Sequence, residues 1–591
     1  MDAELRTAAV SLRDPRFAPR RLEVERRADG AIVLTNPTPF STQFPTANAA
    51  LEHWARVAPR RVWLAERSGA GWRTVTFGEA RDQVAAIAGG LLAMGVVRAE
   101  PLMILSANSI NHALITYAAM SQRMPVAPVS LQYGLTGANP ARLAHACEIL
   151  KPAAVYAEDV DLVAEGLTAP GLSGVPVIGS MNLRPGDMAF ETLLLSHHDA
   201  ANARPEDPAK YLLTSGSTGK PKAVILTHRG MAVNAAQFTA CYDDPDPPVM
   251  VNSAPWSHSL GGNAVLHMSL HRGGTLYIDA GQPTAHRFGE TLRNLKEIST
   301  TYHYMVPAGW MLLAEALEQD KALAARFFER LRVMQYGGAA LGQSICDRIQ
   351  AVAVRTVGER ISFVAGFGAT EAGPSVCNVH WPNEQMGLIG LPLPGTSVKL
   401  VPEAGKLEMR VKGPQVSPGY LGRRDLTQAA LDEEGFYRLG DAARLVDAND
   451  PTLGMVYDGR LSENFKLTTG AFVDVGDIRV RAIGAIGGAV TDAVVCGEGR
   501  EAVGLLLYPD PRQPRPAVEA AARQGLEIFN RTARGVGGRV GRAVVLPDGP
   551  DAGAGEITDK GYIAQSLARA RRADQVSRLF ADPPDSDVMV F

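Results

Sequence analysis

The chain has 591 residues, 46% of them hydrophobic and 20% charged, with a formal net charge of −3. That length calls for two to four domains with sizeable cores, and the near-neutral balance excludes a global field drawing it to nucleic acid or anionic membrane. No apolar stretch reaches the roughly 18 residues of a bilayer span, and the acidic start, Met1-Asp-Ala-Glu-Leu-Arg6, lacks the basic-then-apolar run of a secretory signal. In chain order, the first large domain shows a helix over 74–95. Thr76 and Glu79 make a capping box, Val84, Ile87, Leu91 and Leu92 give an apolar stripe, and Gly95 is the stop. A strand at 102–105, a helix at 110–120 and a strand at 126–129 follow, with further strands at 153–157 and 174–178. Short apolar strands alternating with helices predict an α/β fold with a largely parallel sheet covered on both faces. From about residue 385 the texture changes to short alternating strands; 406–412 predicts a half-solvated antiparallel strand. The roughly 130 residues after Arg460 suffice for a small α+β domain.

The five cysteines, Cys147, Cys241, Cys346, Cys377 and Cys496, are odd in number and lack paired spacing. Buried free thiols in a reducing cytoplasm are the plain expectation, with no zinc site or disulfide framework. Of 59 basic residues only 11 are lysine. Four of these, Lys220, Lys222, Lys466 and Lys560, fall in motif-like contexts, where a compact ammonium and a guanidinium fork are not interchangeable.

Thr214-Ser-Gly-Ser-Thr-Gly-Lys-Pro-Lys222 follows an apolar strand. Its glycines stand too close together, and Pro221 follows Lys220, so it is not the Walker A loop of P-loop kinases. The ingredients still suit a polyphosphate: glycines let backbone N–H groups approach oxygens, hydroxyls donate and lysine neutralises charge. The bland alternative is a Ser/Gly linker.

This stretch resembles the signature of the adenylate-forming superfamily: acyl-CoA synthetases, peptide-synthetase adenylation domains and luciferases. Gly366-Phe-Gly-Ala-Thr-Glu371, Tyr437-Arg-Leu-Gly-Asp441 and Gly459-Arg-Leu-Ser-Glu-Asn-Phe-Lys466 resemble its other core motifs, in the family's order. The tail 555–565, "APVSLQYGL" (127–135) and "GGAALG" (337–342) are most similar to feruloyl-CoA synthetases. The resemblance covers about residues 20–575. It implies two half-reactions: a carboxylate plus ATP gives acyl-adenylate and diphosphate, then coenzyme A displaces AMP.

On that resemblance Thr214, Ser215, Gly216, Ser217, Thr218, Gly219 and Lys220 would cradle the departing phosphates. Glu371, with Thr214, would hold Mg2+, and Thr370 would donate to the α-phosphate. Gly338, Ala339, Phe367 and Gly368 would surround the adenine, with Phe367 stacking on it. Asp441 would take the ribose hydroxyls, helped by Arg460. Lys560 would bridge carboxylate and α-phosphate during adenylation. Lys466 would serve the second conformation, beside a coenzyme A tunnel near Gly470. Independently, 463–591 holds fourteen arginines and only these two lysines.

Trp256, His258, Tyr304, Val306 and Gly337 are expected at the acid pocket. His258 is either a gate or a core histidine; the glycine leaves room for a flat ring, and equally for an aliphatic chain. The tail lysine departs from the family pattern (Asp559-Lys560-Gly561), and the hinge position, commonly Asp or Lys, is Ser462. The expected fold is a large N-terminal domain, 1–461, of two α/β layers plus a distorted β-barrel. A small mobile α+β cap, 462–591, completes it. The partners expected are a small-molecule carboxylic acid, ATP, Mg2+ and coenzyme A, without nucleic acid or a membrane span; a homodimer stays open. The competing classes are an enzyme passing the adenylate to a carrier protein or amine, a fatty acid ligase, and an inactive adenylate-binding regulator.

Overall fold

Runs of apolar strand residues pair into four larger sheets in the computed structural model. It describes residues 10–96, 99–196, 203–215, 221–284, 286–338, 341–403, 405–533, 535–551, 556–557 and 563–591. The first, seven-stranded sheet has the order Pro221–Thr227, Pro208–Ser215, Val126–Pro128, Leu102–Ile104, Ala154–Asp159, Val177–Met181, Met188–Ala189. Every neighbouring pair is parallel except the first, which is antiparallel. Strands buried on both faces need continuous apolar runs, and 102–104 and 126–128 are buried at every residue.

The helix expected at 74–95 is Phe77–Ala93, opened by the Thr76–Glu79 capping box. Ile110–Ser121 is buried along its whole length and capped by Ser109. A stretch expected as strand at 174–178 begins three residues later, at Val177, because Gly174 takes a positive φ of 75° in the preceding turn. These helices pack a layer between the first sheet and a four-stranded sheet, Val249–Asn252, Thr275–Ile278, Val62–Ser68, Gly71–Thr76. There the fully buried Trp63 packs on Phe77 and Tyr117, with ring centroids 6.1 and 5.3 Å apart. Burying such side chains contributes about 1.5–3 kcal/mol each.

The largest sheet has eleven strands and changes character along its width. Tyr302–Met305, Val333–Tyr336 and Ser362–Phe367 run parallel. Beyond them, from Cys377–Asn378 to Glu23–Arg26, every pairing is antiparallel. The antiparallel region stands where a barrel was expected, yet among the described residues the ladder stays open: Glu23–Arg26 pairs only with Ile32–Thr35 and forms an edge. Lys406–Lys412 is a strand, but the polar positions at its centre are not solvated as alternation predicted, although Lys412 at its end is exposed. Glu408 and Arg410 are buried, because Arg410 is paired with Glu408 at 2.6 Å and with Asp432 at 3.2 Å, and Lys399 pairs with Asp432 as well. Paired charges can be buried where single ones cannot.

The smaller C-terminal domain builds its own sheet, Val490–Cys496, Val503–Pro509, Val540–Val545, Met589–Val590. Helices Val475–Ile486 and Arg515–Thr532 cover one face, and Gln565–Arg571 with Ala573–Leu579 cover the other, giving two cores of its own. Among the described residues, an ion pair ties it to the large sheet. Lys406, with only 8% of its side chain exposed, donates to Asp474, the N-cap of Val475–Ile486, and also to the Asp458 carbonyl.

Candidate active site

Parallel strands place their following loops at one end of the sheet, where ligands bind. Thr214 is the penultimate residue of strand Pro208–Ser215, Gly337 and Gly338 follow Val333–Tyr336, Phe367 ends Ser362–Phe367, and Val306 caps the helix after Tyr302–Met305. Gly216, Ser217, Thr218, Gly219, Lys220, Ala339 and Lys560 lie outside the described residues. What frames the loop is described: Thr214 pairs with Lys222 across the antiparallel turn.

Lys222 and Glu371 meet through a residue that no motif singled out. Tyr420 donates its phenol to Glu371 Oε1 at 3.0 Å, and the Lys222 ammonium lies 4.9 Å from the centroid of the Tyr420 ring. A second phenol, Tyr437, bonds Tyr420, and the Ser417 amide donates to the Glu371 carbonyl at 2.8 Å. Burial, reinforced by the Glu371 charge, pushes the Tyr420 phenol up, so at neutral pH it remains a donor. Glu371 itself is half-buried, and among the described residues no lysine or arginine pairs with it. Its second oxygen is therefore available to a hard cation, which prefers one or two carboxylates completed by phosphate oxygens. Among the described residues no three His, Cys, Asp or Glu side chains cluster as an all-protein metal site.

Thr370 is buried and its hydroxyl lies 3.1 Å from Ser259 Oγ, one residue beyond His258. Phe367 packs on Tyr457, centroids 5.7 Å apart. Tyr457 in turn donates to Asp441 Oδ1 at 3.0 Å, and Arg460 reaches the same oxygen at 3.6 Å. The aromatic, carboxylate and guanidinium expected around adenine and ribose are thus contiguous. Gly368 admits no side chain, since a Cβ there would stand 1.7 Å from the Pro374 carbonyl oxygen.

On the acid side, the 254–256 turn is splinted by two asparagines. Asn108 donates to the Ala254 carbonyl at 2.8 Å and accepts from the Trp256 amide at 2.9 Å. Asn252 accepts from the Ala254 amide and donates to the Tyr304 carbonyl, both at 2.8 Å. Trp256 faces inward, 3% exposed and packed on His112, whereas His258 is half-buried. Gly337 is required: a Cβ would stand 2.0 Å from the Tyr304 hydroxyl. Tyr304 also lines a cavity of about 40 Å³ with Phe238, Ala264, Val265, Met268 and Gln335. Lys466 and Gly470 are brought to none of these groups. They are exposed on the Phe465–Lys466/Phe472–Val473 hairpin, with the Gly499 amide on the Lys466 carbonyl. Ser462 falls in the short turn Leu461–Glu463, between strand Met455–Arg460 and the Phe465–Lys466/Phe472–Val473 hairpin.

Among the described residues, no helix is long and apolar enough to cross a membrane. The family model of the AMP-binding enzymes matches residues 51–421. A feruloyl-CoA synthase of Amycolatopsis sp is 26% identical over 416 residues, 67% of this chain and 76% of that protein. A long-chain-fatty-acid–CoA ligase of Escherichia coli O6:H1 is 31% identical over 263 residues, 40% of this chain and 44% of that one. The fold matches the adenylation domain of a carboxylate reductase from Mycobacterium chelonae with a TM-score of 0.74 at 19% identity, covering 91% of this chain and 90% of that domain. With more than half of its length matched, the chain belongs to the AMP-binding enzyme family, as an adenylate-forming acid–thiol ligase.

Proposed function

We propose that the chain joins an aromatic acid of the hydroxycinnamic type to coenzyme A, at the expense of ATP, through an acyl-adenylate. The observation that carries this is the Lys222–Tyr420–Glu371 contact, which sets a phosphate-loop lysine and a metal-ready carboxylate on either side of one phenol. A carboxylate oxygen attacks the α-phosphorus, the bond to diphosphate breaks, and charge builds where Thr214 to Lys220, Thr370 and Lys560 would donate. A bound Mg2+ would neutralise phosphate charge; Glu371, with Thr214, would hold it. Phe367 would stack on adenine beside Gly338 and Ala339, and Asp441, held by Tyr457, would accept the ribose hydroxyls.

For the second half-reaction, the division at 461/462 with Ser462 as hinge lets the cap turn, bringing Lys466 and Gly470 to a coenzyme A thiolate. Its sulfur attacks the acyl carbon and AMP leaves. The feruloyl-CoA synthase relative favours a flat acid; the fatty-acid ligase relative supports an aliphatic one. All five cysteines are buried and free, which suits a reducing, cytoplasmic setting.

The purified chain with Mg-ATP should exchange labelled diphosphate into ATP in the presence of hydroxycinnamates and form thioester when coenzyme A is added. Lys560→Ala should lower the exchange by about 100-fold or more, yet still convert supplied acyl-adenylate. No exchange across hydroxycinnamates, benzoates and C6–C16 acids would sink the proposal.

A further inference from the structure

We propose that Lys210 is a positioning residue for acid binding, holding the helical turn beside His258 and Tyr304 in register with the strand that ends at the phosphate loop. This rests on the ligase function proposed above. Lys210 lies in the middle of Pro208–Ser215, four residues before Thr214, and is 1% exposed. Its ammonium donates to the Gly262 carbonyl at 3.0 Å and to Asn263 Oδ1 at 3.1 Å. Among the described residues no carboxylate pairs with it. The titratable groups that face it are His112 from Ile110–Ser121, His228 from His228–Thr239, and His267 from the helical turn itself. Burial pushes all three below the usual imidazole range, so none supplies charge at neutral pH.

A buried lysine without an anion is costly, and its surroundings explain where it is needed. Leu260–His267 is wound as a π-helix, with the Met268 amide reaching back to the Asn263 carbonyl. Such wide turns displace carbonyls from the α ladder and recur at functional sites. Lys210 gives one of those carbonyls a donor. The helix has two working faces. Ala264, Val265 and Met268 line the cavity shared with Tyr304, while Gly262 and Asn263 face Lys210.

The start of the helix has no slack. A Cβ at Gly261 would stand 2.3 Å from the Pro255 carbonyl oxygen, and one at Gly262 2.6 Å from that of Trp256. Movement at 262–263 must therefore pass to the cavity wall on one side and to His258 on the other. The Asn263 amide nitrogen has no partner among the described residues, so the lysine is what fixes this side chain, while the Gly262 amide ties the same turn to the His258 carbonyl at 2.8 Å. Burial pushes the Lys210 ammonium down to about 7. A carboxylic acid stays ionised across pH 6–8, so a change in its affinity there reports on the protein.

The test is calorimetric titration of 4-hydroxycinnamate, benzoate and octanoate into the full chain, wild type against Lys210→Met, at pH 6–8. Lys210→Met should raise the acid Kd by about tenfold, leave the ATP Kd within about twofold, and abolish the wild-type inflection near pH 7. Asn263→Ala, a milder cut in the same clasp, should raise the acid Kd by about threefold. A folded Lys210→Met protein with wild-type acid Kd and pH profile overturns the proposal, as does equal weakening of acid and ATP. If Lys210→Met does not fold, an unchanged acid Kd in Asn263→Ala overturns it. Because Kd is read without turnover, a wild-type chain that binds acids but exchanges no diphosphate sinks the ligase function alone, and one that binds no acid sinks both.

Discussion

Tyr420 joins three separate segments through one side chain: the strand after the phosphate loop, the Glu371 turn and the strand of Tyr437. Its backbone bridges Val224, its ring faces Lys222, and its hydroxyl serves Glu371. Removing that hydroxyl in Tyr420→Phe leaves a half-buried carboxylate short of one donor. Hydrogen bonds to charged groups contribute about 1.5–3 kcal/mol, and Glu371 is only half-buried, so the low end applies. The variant should need roughly tenfold more Mg-ATP for half-maximal diphosphate exchange, with the acid dependence unchanged; an unaltered Mg-ATP titration would remove Tyr420 from the site. Nothing local marks this tyrosine in the sequence, because its meaning arises only when residue 420 meets residues 222 and 371. Lys210 differs. An ammonium inside the apolar run 208–215 is a visible anomaly, one of only 11 lysines, and weighing it against the strand around it would have drawn notice.

Elements whose cause is local were the legible ones. The Thr76–Glu79 capping box sets a helix start within three residues of chain, and the alternation at 406–412 gives the strand at those bounds. What alternation could not show is what covers the polar face, since Asp432 and Lys399 arrive from elsewhere. The same limit hid the asparagine splints, which act across 146 and 148 residues in the case of Asn108. Asn108→Ala strips a partner from one carbonyl and one amide of the 254–256 turn. At about 1 kcal/mol for each net hydrogen bond, it should cost about 2 kcal/mol, read as a lower urea midpoint. The acid KM should rise more than that for ATP, because the turn leads into His258. Equal KM values for wild type and variant would show that the turn holds its shape without the splint.

For the molecule as a whole, the large sheet and the smaller C-terminal domain have separate cores, and the Lys406 clasp on Asp474 and the Asp458 carbonyl joins them, across the division proposed at 461/462. Lys406→Ala strands the Asp474 carboxylate next to the large sheet, while its side chain still caps Val475–Ile486 through the Asp477 amide. The cap should then leave this arrangement more readily. Limited proteolysis near Leu461–Glu463 should accelerate several-fold, and the ratio of diphosphate exchange to thioester formation should shift. Identical cleavage rates would mean that other contacts set the arrangement. The open antiparallel ladder was the harder whole-chain feature to foresee. Whether strands close into a barrel depends on pairings hundreds of residues apart, which no window of sequence contains.

That ladder has a further consequence for how the chain is made. Ile32–Thr35 finds its second neighbour in Ser397–Glu403, more than 360 residues later. Synthesis proceeds from the N-terminus at about 5–20 residues per second. The 23–35 hairpin therefore leaves the ribosome tens of seconds before the strand that flanks it exists, with one long edge unsheathed. The waiting edge, Ile32–Thr35, carries no charge of its own, whereas the outer strand, which stays an edge in the finished sheet, carries Glu23, Glu25 and Arg26, the charged kind of edge that discourages foreign strands from docking.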